Sequence, residues 1–186
     1  FPDDLSVTNF CGPKTTPSPA CLCVSADGVV YVGVDLNGSL GKGPGKGRIM
    51  RLVDSNKDGV ADDTSVFAKL DNPRGLIAVG DKLYVLHTVH NKAGKSTGMD
   101  LVVLTDADGD GKADGPAEKL VEHICSATSI NDRGTDHSTN GIQMGIDGWI
   151  YIAIGDFGFA GAVDRDGTEL TMLGGGIVRV RPDGTE

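Results

Sequence analysis

Short apolar runs separated by turn-forming dipeptides fill the chain from residue 20 onward, and none shows the 3.6-residue period of an amphipathic helix. The pattern predicts strands over 22–25 and 29–34, joined by an Ala26-Asp27-Gly28 turn, then strands over 48–53 and 64–70. The cycle restarts with 75–79 and 82–87 around Gly80-Asp81, followed by 101–105 and 117–124. A third round opens with alternating Ile142, Met144 and Ile146, turns at Asp147-Gly148, returns over 149–154 and resumes at 176–181. Tyrosines recur in the second strand of each round, at Tyr31, Tyr84 and Tyr151, in steps of 53 and 67 residues. Four antiparallel strands repeating at such a period indicate β-propeller blades, so the fold class is all-β with about three blades between residues 20 and 186. The longer second step is expected to lie in loops. Three blades do not close a ring, so the chain is expected to be part of a larger protein or to close against another chain. Residues 1–19 are polar and rich in proline, an arm that needs another surface to lie on.

Composition narrows the partners. A formal charge of -9 and a pI near 4.8 leave no basic face to neutralise phosphates, which excludes a nucleic-acid partner. The same acidity fits a secreted or periplasmic domain, or one that binds cations. No apolar run approaches the length of a membrane span. The opening FPDDLSV has neither a Met nor a charged-then-apolar leader, as expected of a removed signal peptide or an internal start. Cys11, Cys21, Cys23 and Cys125 form no CxxC, so no zinc ribbon is expected, and no CxxCH marks a covalent haem. One or two disulfides in an oxidising compartment are expected, with Cys11 pairing to Cys21 or Cys23, against the alternative of buried free thiols.

A hairpin brings its open ends together. His137, before the first strand of the third round, and Asp156, after the second, therefore emerge at one edge. An imidazole oriented by a carboxylate is a general base in the making, because the carboxylate fixes the tautomer and raises the basicity of the ring. The alternative is two polar residues in neighbouring surface loops. Propeller topology puts Asp35, His87, His90, Asp136, His137 and Asp156 on the same rim. His87 and His90 are three apart in an extended run and point to opposite sides, so exposed loop histidines are expected rather than a shared metal. His123, in an outer strand, is expected to be structural. The glycine-rich stretch 38–47 lacks both phosphate-loop patterns and reads as a loop between strands, although Lys42 and Lys46 could meet an anion.

Two further loops carry cation chemistry. Asp54, Asn56, Asp58, Val60 and Asp62 fit DxNxDGxxD, and Asp106, Asp108, Asp110, Lys112 and Asp114 fit DxDxDGxxD. Alternate oxygen donors wrap a hard cation, glycine permits the sharp turn, Val60 or Lys112 offers its carbonyl, and the last Asp closes the shell. The bidentate Glu of a helix-flanked loop is replaced by Ser65 and Ala117, so these are calcium staples between third and fourth strands. The alternative is a solvated acidic turn.

The run from Asp136-His137 through Asp147-Gly148 and Tyr151 to Gly155-Asp156-Phe157-Gly158 resembles the active-site hairpin of the soluble quinoprotein glucose and sorbosone dehydrogenase family. GGGIVRVRPDGTE, from Gly174, resembles a later strand of that family. The DxDxDG insertions resemble the version found in large exported dehydrogenase-like proteins of planctomycetes, which often carry a c-type cytochrome domain. The resemblance implies half of a six-bladed ring and an exported enzyme that oxidises a sugar or other alcohol with pyrroloquinoline quinone. It implies His137 as base, Asp156 as its orienting group and Asp136 beside the cofactor. Where the family has a Gln touching the quinone, this chain reads Asn72-Pro73-Arg74-Gly75, so Arg74 is expected to pair with a quinone carboxylate instead. The basic residues that hold the quinone, and the family's active-site calcium, belong to blades outside this chain. Two other readings stand beside this one: a non-catalytic calcium-binding propeller for glycans or proteins, and a metal-dependent carbohydrate lyase or hydrolase.

Overall fold

The structure is a computed structural model and describes residues 2–40 and 43–186, apart from the side chain at 39. Pro19–Val24 (β1), Val30–Asp35 (β2), Gly47–Val53 (β3) and Asp63–Ala68 (β4) form a four-stranded sheet in sequential order. Every pairing in it is antiparallel. Gly75–Val79 (β5), Lys82–His90 (β6), Ser96–Thr105 (β7) and Glu118–Glu122 (β8) repeat the meander. The short helix Ala127–Arg133 (α1) follows, and then Thr139–Met144 (β9) and Ile150–Ile154 (β10). Phe159–Asp164 (β11) and Glu169–Met172 (β12) intervene before Gly176–Val180 (β13) returns to pair with β10. The predicted strand pattern is thus present as antiparallel sheets: β1–β4, β5–β8 extended by β11 and β12, and β9, β10 and β13.

Two elements depart from expectation. The extra length between the second and third tyrosines holds α1, not only loop. Ser126 caps the helix by accepting from Ser129 N at 3.3 Å, and Ile130 is fully buried under it. The hairpin β11–β12 was not anticipated: it leaves the third blade and adds to the outer edge of the second, through Val163↔Glu122 and Asp164↔Val121. An uncovered β8 would be an open edge, and β11 pairs it.

The blades stack face to face. Tyr31 and Phe67 from the first blade meet Leu76, Leu83, Val85 and Leu104 of the second. Tyr84, Leu86, Leu101 and Val103 from the second meet Ile150, Ile152 and Ile154 of the third. Each covered tyrosine therefore looks toward the following blade. The inner strands β1, β5 and β9 lie side by side and line a funnel of about 570 Å³. The back of the first blade, Val32, Val34, Met50 and Leu52, is covered by Phe10 and Cys11 of the N-terminal arm. The arm is tied down by Ala61 N donating to Phe10 O at 2.9 Å.

That packing corrects the expected disulfide. All four cysteines are free thiols. Cys11 sits on the back of the first blade, with its Sγ 3.1 Å from Thr16 Oγ1, whereas Cys21 and Cys23 pack on the opposite face. The sheet lies between them. Burial pushes the Cys21 thiol up to about 12 and the Cys23 thiol up to about 11, which keeps both protonated and inert. Among the described residues no helix is long and apolar enough to cross a membrane.

His87 is likewise not a rim residue. It lies in β6, 8% exposed, opposite Asp100 of β7 and with Nδ1 3.1 Å from Thr88 O. Burial lowers its pKa below the ordinary 6.5, with Asp100 and the Thr88 carbonyl opposing. The folded state therefore holds this imidazole neutral while the unfolded chain takes up the proton first. Its contribution to stability is complete above the ordinary histidine range and is lost as pH falls through it. The melting temperature is expected to drop as pH is lowered below about 6.5. His87→Gln should flatten that slope, and an identical pH profile for the variant would remove His87 as the cause.

Candidate functional site

The loops β2–β3, β4–β5, β8–β9 and β10–β11 share one end of the blades, by the alternation of the meander. At that end His137 Nδ1 lies 2.7 Å from Asp156 Oδ1. The backbone makes the meeting possible. Gly155 N donates to Ser138 O at 2.9 Å, and a Cβ on Gly155 would fall 2.2 Å from His137 O. Only glycine lets the end of β10 approach the start of β9 this closely. Ser138 Oγ donates to Thr135 O at 2.6 Å and holds the turn before β9.

Around the pair, Phe157 stacks on the His137 ring with centroids 5.9 Å apart, and the Arg133 guanidinium lies over the Phe157 ring at 4.6 Å. Arg133 Nη2 is 3.7 Å from Asp156 Oδ2. Desolvation pushes the Asp156 carboxyl up, but the bond from His137 and the charges of His137 and Arg133 hold it below the usual carboxylate range. Asp156 is therefore ionised, and in the neutral form of His137 its bond places the proton on Nδ1, so that Nε2 is the nitrogen that accepts one. Arg133 was missed in the sequence because it arrives on α1, whose signal was the Ser126 cap and the Gly134 stop. Asn131 holds that helix in place, accepting from Ser96 N and donating to Ser96 O at the start of β7.

Beneath the rim lies a buried polar network. Asp35 is 1% exposed and accepts from Asn72 Nδ2, while Thr88 Oγ1 donates to Asn72 Oδ1 at 2.8 Å. Arg74 donates from Nε to Asn72 Oδ1 at 3.2 Å and from Nη2 to Thr135 Oγ1 at 2.6 Å, with Asp35 Oδ2 at 3.8 Å. Asp35, expected on the rim, is thus a buried counter-ion. Burial pulls the Arg74 pKa down and the charges of Asp35 and Asp136 push it back up, so the guanidinium stays charged beside the funnel it borders. Asp136 lies within electrostatic reach of Arg74.

His90 ends β6 rather than standing in a loop, and its Nδ1 lies 3.7 Å from Asp71 Oδ2. Asp71 also fills the glycine-rich loop: Gly45 N, Lys46 N and Gly47 N donate to its carboxylate at 3.0, 2.9 and 3.1 Å. The anion that this loop holds is a side chain of the protein itself. Lys42 lies outside the described residues.

The two acidic loops sit at the opposite end of the blades from His137. In the second, Asp106, Asp108 and Asp114 each bring a carboxylate oxygen within 4.8 Å of the others. Asp106 Oδ1 is buried without a hydrogen-bond partner. Asp110 instead faces Lys112, whose Nζ is 3.5 Å away. In the first loop Asn56 Nδ2 stands at the centre, donating to Asp58 Oδ2 at 3.2 Å and Asp62 Oδ1 at 3.0 Å, with Asp54 accepting from Asp58 N and Gly59 N. An amide there does the bridging a cation would do, and turning it over would present Oδ1 instead.

Residues 2–186 match the model of a family described as a domain of unknown function, DUF7133. No curated protein matches the chain. Among solved structures, it is similar to a candidate oxidoreductase (glucose dehydrogenase) of Thermus thermophilus, at 19% identity and a TM-score of 0.55 over 91% of this chain and 46% of that one. It is also similar to the PQQ-bound form of an aldose sugar dehydrogenase from Streptomyces coelicolor, at 22% identity and a TM-score of 0.55 over 90% of this chain and 45% of that one. The chain spans less than half the length of these proteins. At such identity the likeness shows the fold, an antiparallel propeller-like arrangement of blades.

Because Gly155 carries the meeting of His137 and Asp156, Gly155→Ala should destabilise the fold by about 1–3 kcal/mol and pull the two apart. Gly141→Ala, whose Cβ would meet nothing within 4 Å, serves as the control. Urea midpoints of the two variants test this, and equal midpoints would refute the close-approach argument.

Proposed function

The chain belongs to the DUF7133 domain family, and from that premise we propose that it supplies the base-bearing half of a propeller dehydrogenase acting on a sugar or another alcohol. The 2.7 Å contact between His137 and Asp156 carries the reading. A substrate hydroxyl placed against His137 Nε2 gives up its proton there, and Asp156 stabilises the imidazolium that forms. Phe157, against the ring, limits its rotation, and Arg133 adds a positive charge 3.7 Å from Asp156. Pyrroloquinoline quinone, when bound, supplies the two-electron acceptor for the carbon-bound hydride. The residues present fit one flank of such an anionic, planar group. Arg74 borders a funnel of about 570 Å³ whose walls are otherwise strand backbone with mostly small or apolar side chains, and Asp136 lies beside it. The remaining blades, from the same protein or another chain, supply the other flank, and a c-type cytochrome domain is a fitting electron acceptor. Export to the periplasm or beyond belongs to the same reading.

Calcium completes the proposal. Asp106, Asp108 and Asp114 bind it with the Lys112 carbonyl and Asp110, after Asp110 turns from the Lys112 side chain. Asp54, Asn56, Asp58, Asp62 and the Val60 carbonyl bind a second ion once the Asn56 amide is reversed. The orphan Asp106 Oδ1 supports the second loop most directly. Its role is structural, because Ala113 N donates to Phe67 O at 3.1 Å and so joins the loop to the preceding blade.

The catalytic claim is tested on the quinone-reconstituted, ring-closed protein by bleaching of an artificial electron acceptor on addition of sugar. His137→Ala should lower turnover by about 10²–10⁴-fold, with Asp156→Asn intermediate, and wild-type turnover in His137→Ala would dismiss the base and favour a calcium-bound binding scaffold. Separately, calcium should raise the melting temperature and chelation lower it, because the ion binds only the folded loop. Asp106→Asn should remove most of that response; a melting temperature indifferent to chelator would count against both sites.

A further inference from the structure

His137 lies in the connection between α1 and β9, and its 2.7 Å contact with Asp156 depends on where that connection sits. Contacts within the turn shape it: Ser138 N and Ser138 Oγ both donate to Thr135 O, at 3.2 and 2.6 Å. The end of β10 adds two more, with Gly155 N donating to Ser138 O at 2.9 Å and Phe157 N to His137 O at 3.3 Å. Another sheet supplies a further one. Arg74, immediately before β5, donates from Nη2 to Thr135 Oγ1 at 2.6 Å. Thr135 is fully buried, so water cannot replace that donor.

Arg74 is itself firmly held. Its backbone N donates to Leu86 O at 2.8 Å, and its Nε donates to Asn72 Oδ1 at 3.2 Å. Asn72 is fully buried with φ at 48°, in the left-handed region that asparagine enters more readily than most residues. There its amide oxygen accepts from Thr88 Oγ1 at 2.8 Å and its Nδ2 donates to Asp35 of the first sheet. Asp35, buried in turn, stands 3.8 Å from Arg74 Nη2 and balances its charge. One line of contacts thus runs from β2 through residues 72–74 to the turn before β9, with a member in each sheet. A guanidinium ordered by this many partners is a rigid support for whatever its last nitrogen touches.

We propose that Arg74 is a positioning residue for His137: through Thr135 it fixes the turn so that Nδ1 faces Asp156 and Nε2 is left for the substrate. The consequence for turnover rests on the reading of His137 as the base; the consequence for the ring does not. Nη1 of Arg74 makes no hydrogen bond among the described residues, so holding the turn leaves that nitrogen for an anionic group in the funnel.

The tautomer of His137 reports this geometry, because an imidazole released from its carboxylate no longer keeps the proton on Nδ1. Heteronuclear NMR of the histidine rings, at a pH where His137 is neutral, distinguishes the two forms, and His137→Gln assigns the signals. Wild type and Thr135→Ser, which keeps the hydroxyl, should carry the proton on Nδ1. Thr135→Val, of the same size but without the acceptor, should lose that form. Thr88→Val removes a hydroxyl from the same buried network without touching the turn, and should keep the form while its urea midpoint falls. In the quinone-reconstituted, ring-closed protein, Thr135→Val should lower kcat by up to about 10²-fold at unchanged KM. An Nδ1 proton that survives Thr135→Val overturns the proposal and leaves the base reading standing. Its loss in Thr88→Val as well would overturn the proposal too, by reducing the effect to general loosening. Loss confined to Thr135→Val in a protein without turnover would support the positioning and dismiss the base. A wild-type ring protonated on Nε2 would dismiss both.

Discussion

A four-stranded blade of this kind has two apolar faces and cannot bury either of them alone. That constraint organises the molecule. The tyrosine face of the first blade is covered by the second, that of the second by the third, and the back of the first by Phe10 and Cys11 of the arm. Burial of this sort is nondirectional, but the twist of the sheets and the common register turn it into an ordered stack. The same stack fixes which loops share an end, and so which side chains can meet.

Chemistry follows from that division of ends. One end gathers the β4–β5, β8–β9 and β10–β11 loops, with the His137–Asp156 pair and with Arg74, which borders the funnel lined by the inner strands. The other gathers the acidic loops, where carboxylates lie near one another and near the seam between blades. The second of these loops is joined to the preceding blade by Ala113 N donating to Phe67 O, far from the dyad.

Polar groups that look equivalent along the chain end in very different surroundings. Asp35 ends β2 and Asp156 follows β10, yet Asp35 is a buried counter-ion in the network of Asn72 and Arg74, whereas Asp156 stands exposed against His137. Asp71 closes a glycine-rich loop by accepting from three of its backbone amides. His87 is held neutral in the seam between blades, away from solvent.

Period-two alternation and turn dipeptides determined the blades, their order and the hairpin that pairs His137 with Asp156, because those signals are local and each strand pairs with its sequence neighbour. The spacing of carboxylates likewise marked both acidic loops. What the tertiary structure decided depended on faces and on distant partners. Cys11 and Cys21 are ten residues apart but on opposite sides of one sheet, and only packing separates them. Arg133 reaches Asp156 on a helix too short to show a period, and β11 finds an edge, β8, contributed by another blade. Backbone pairing can be read along a chain; which side of a sheet is covered, and by what, exists only once the blades are stacked.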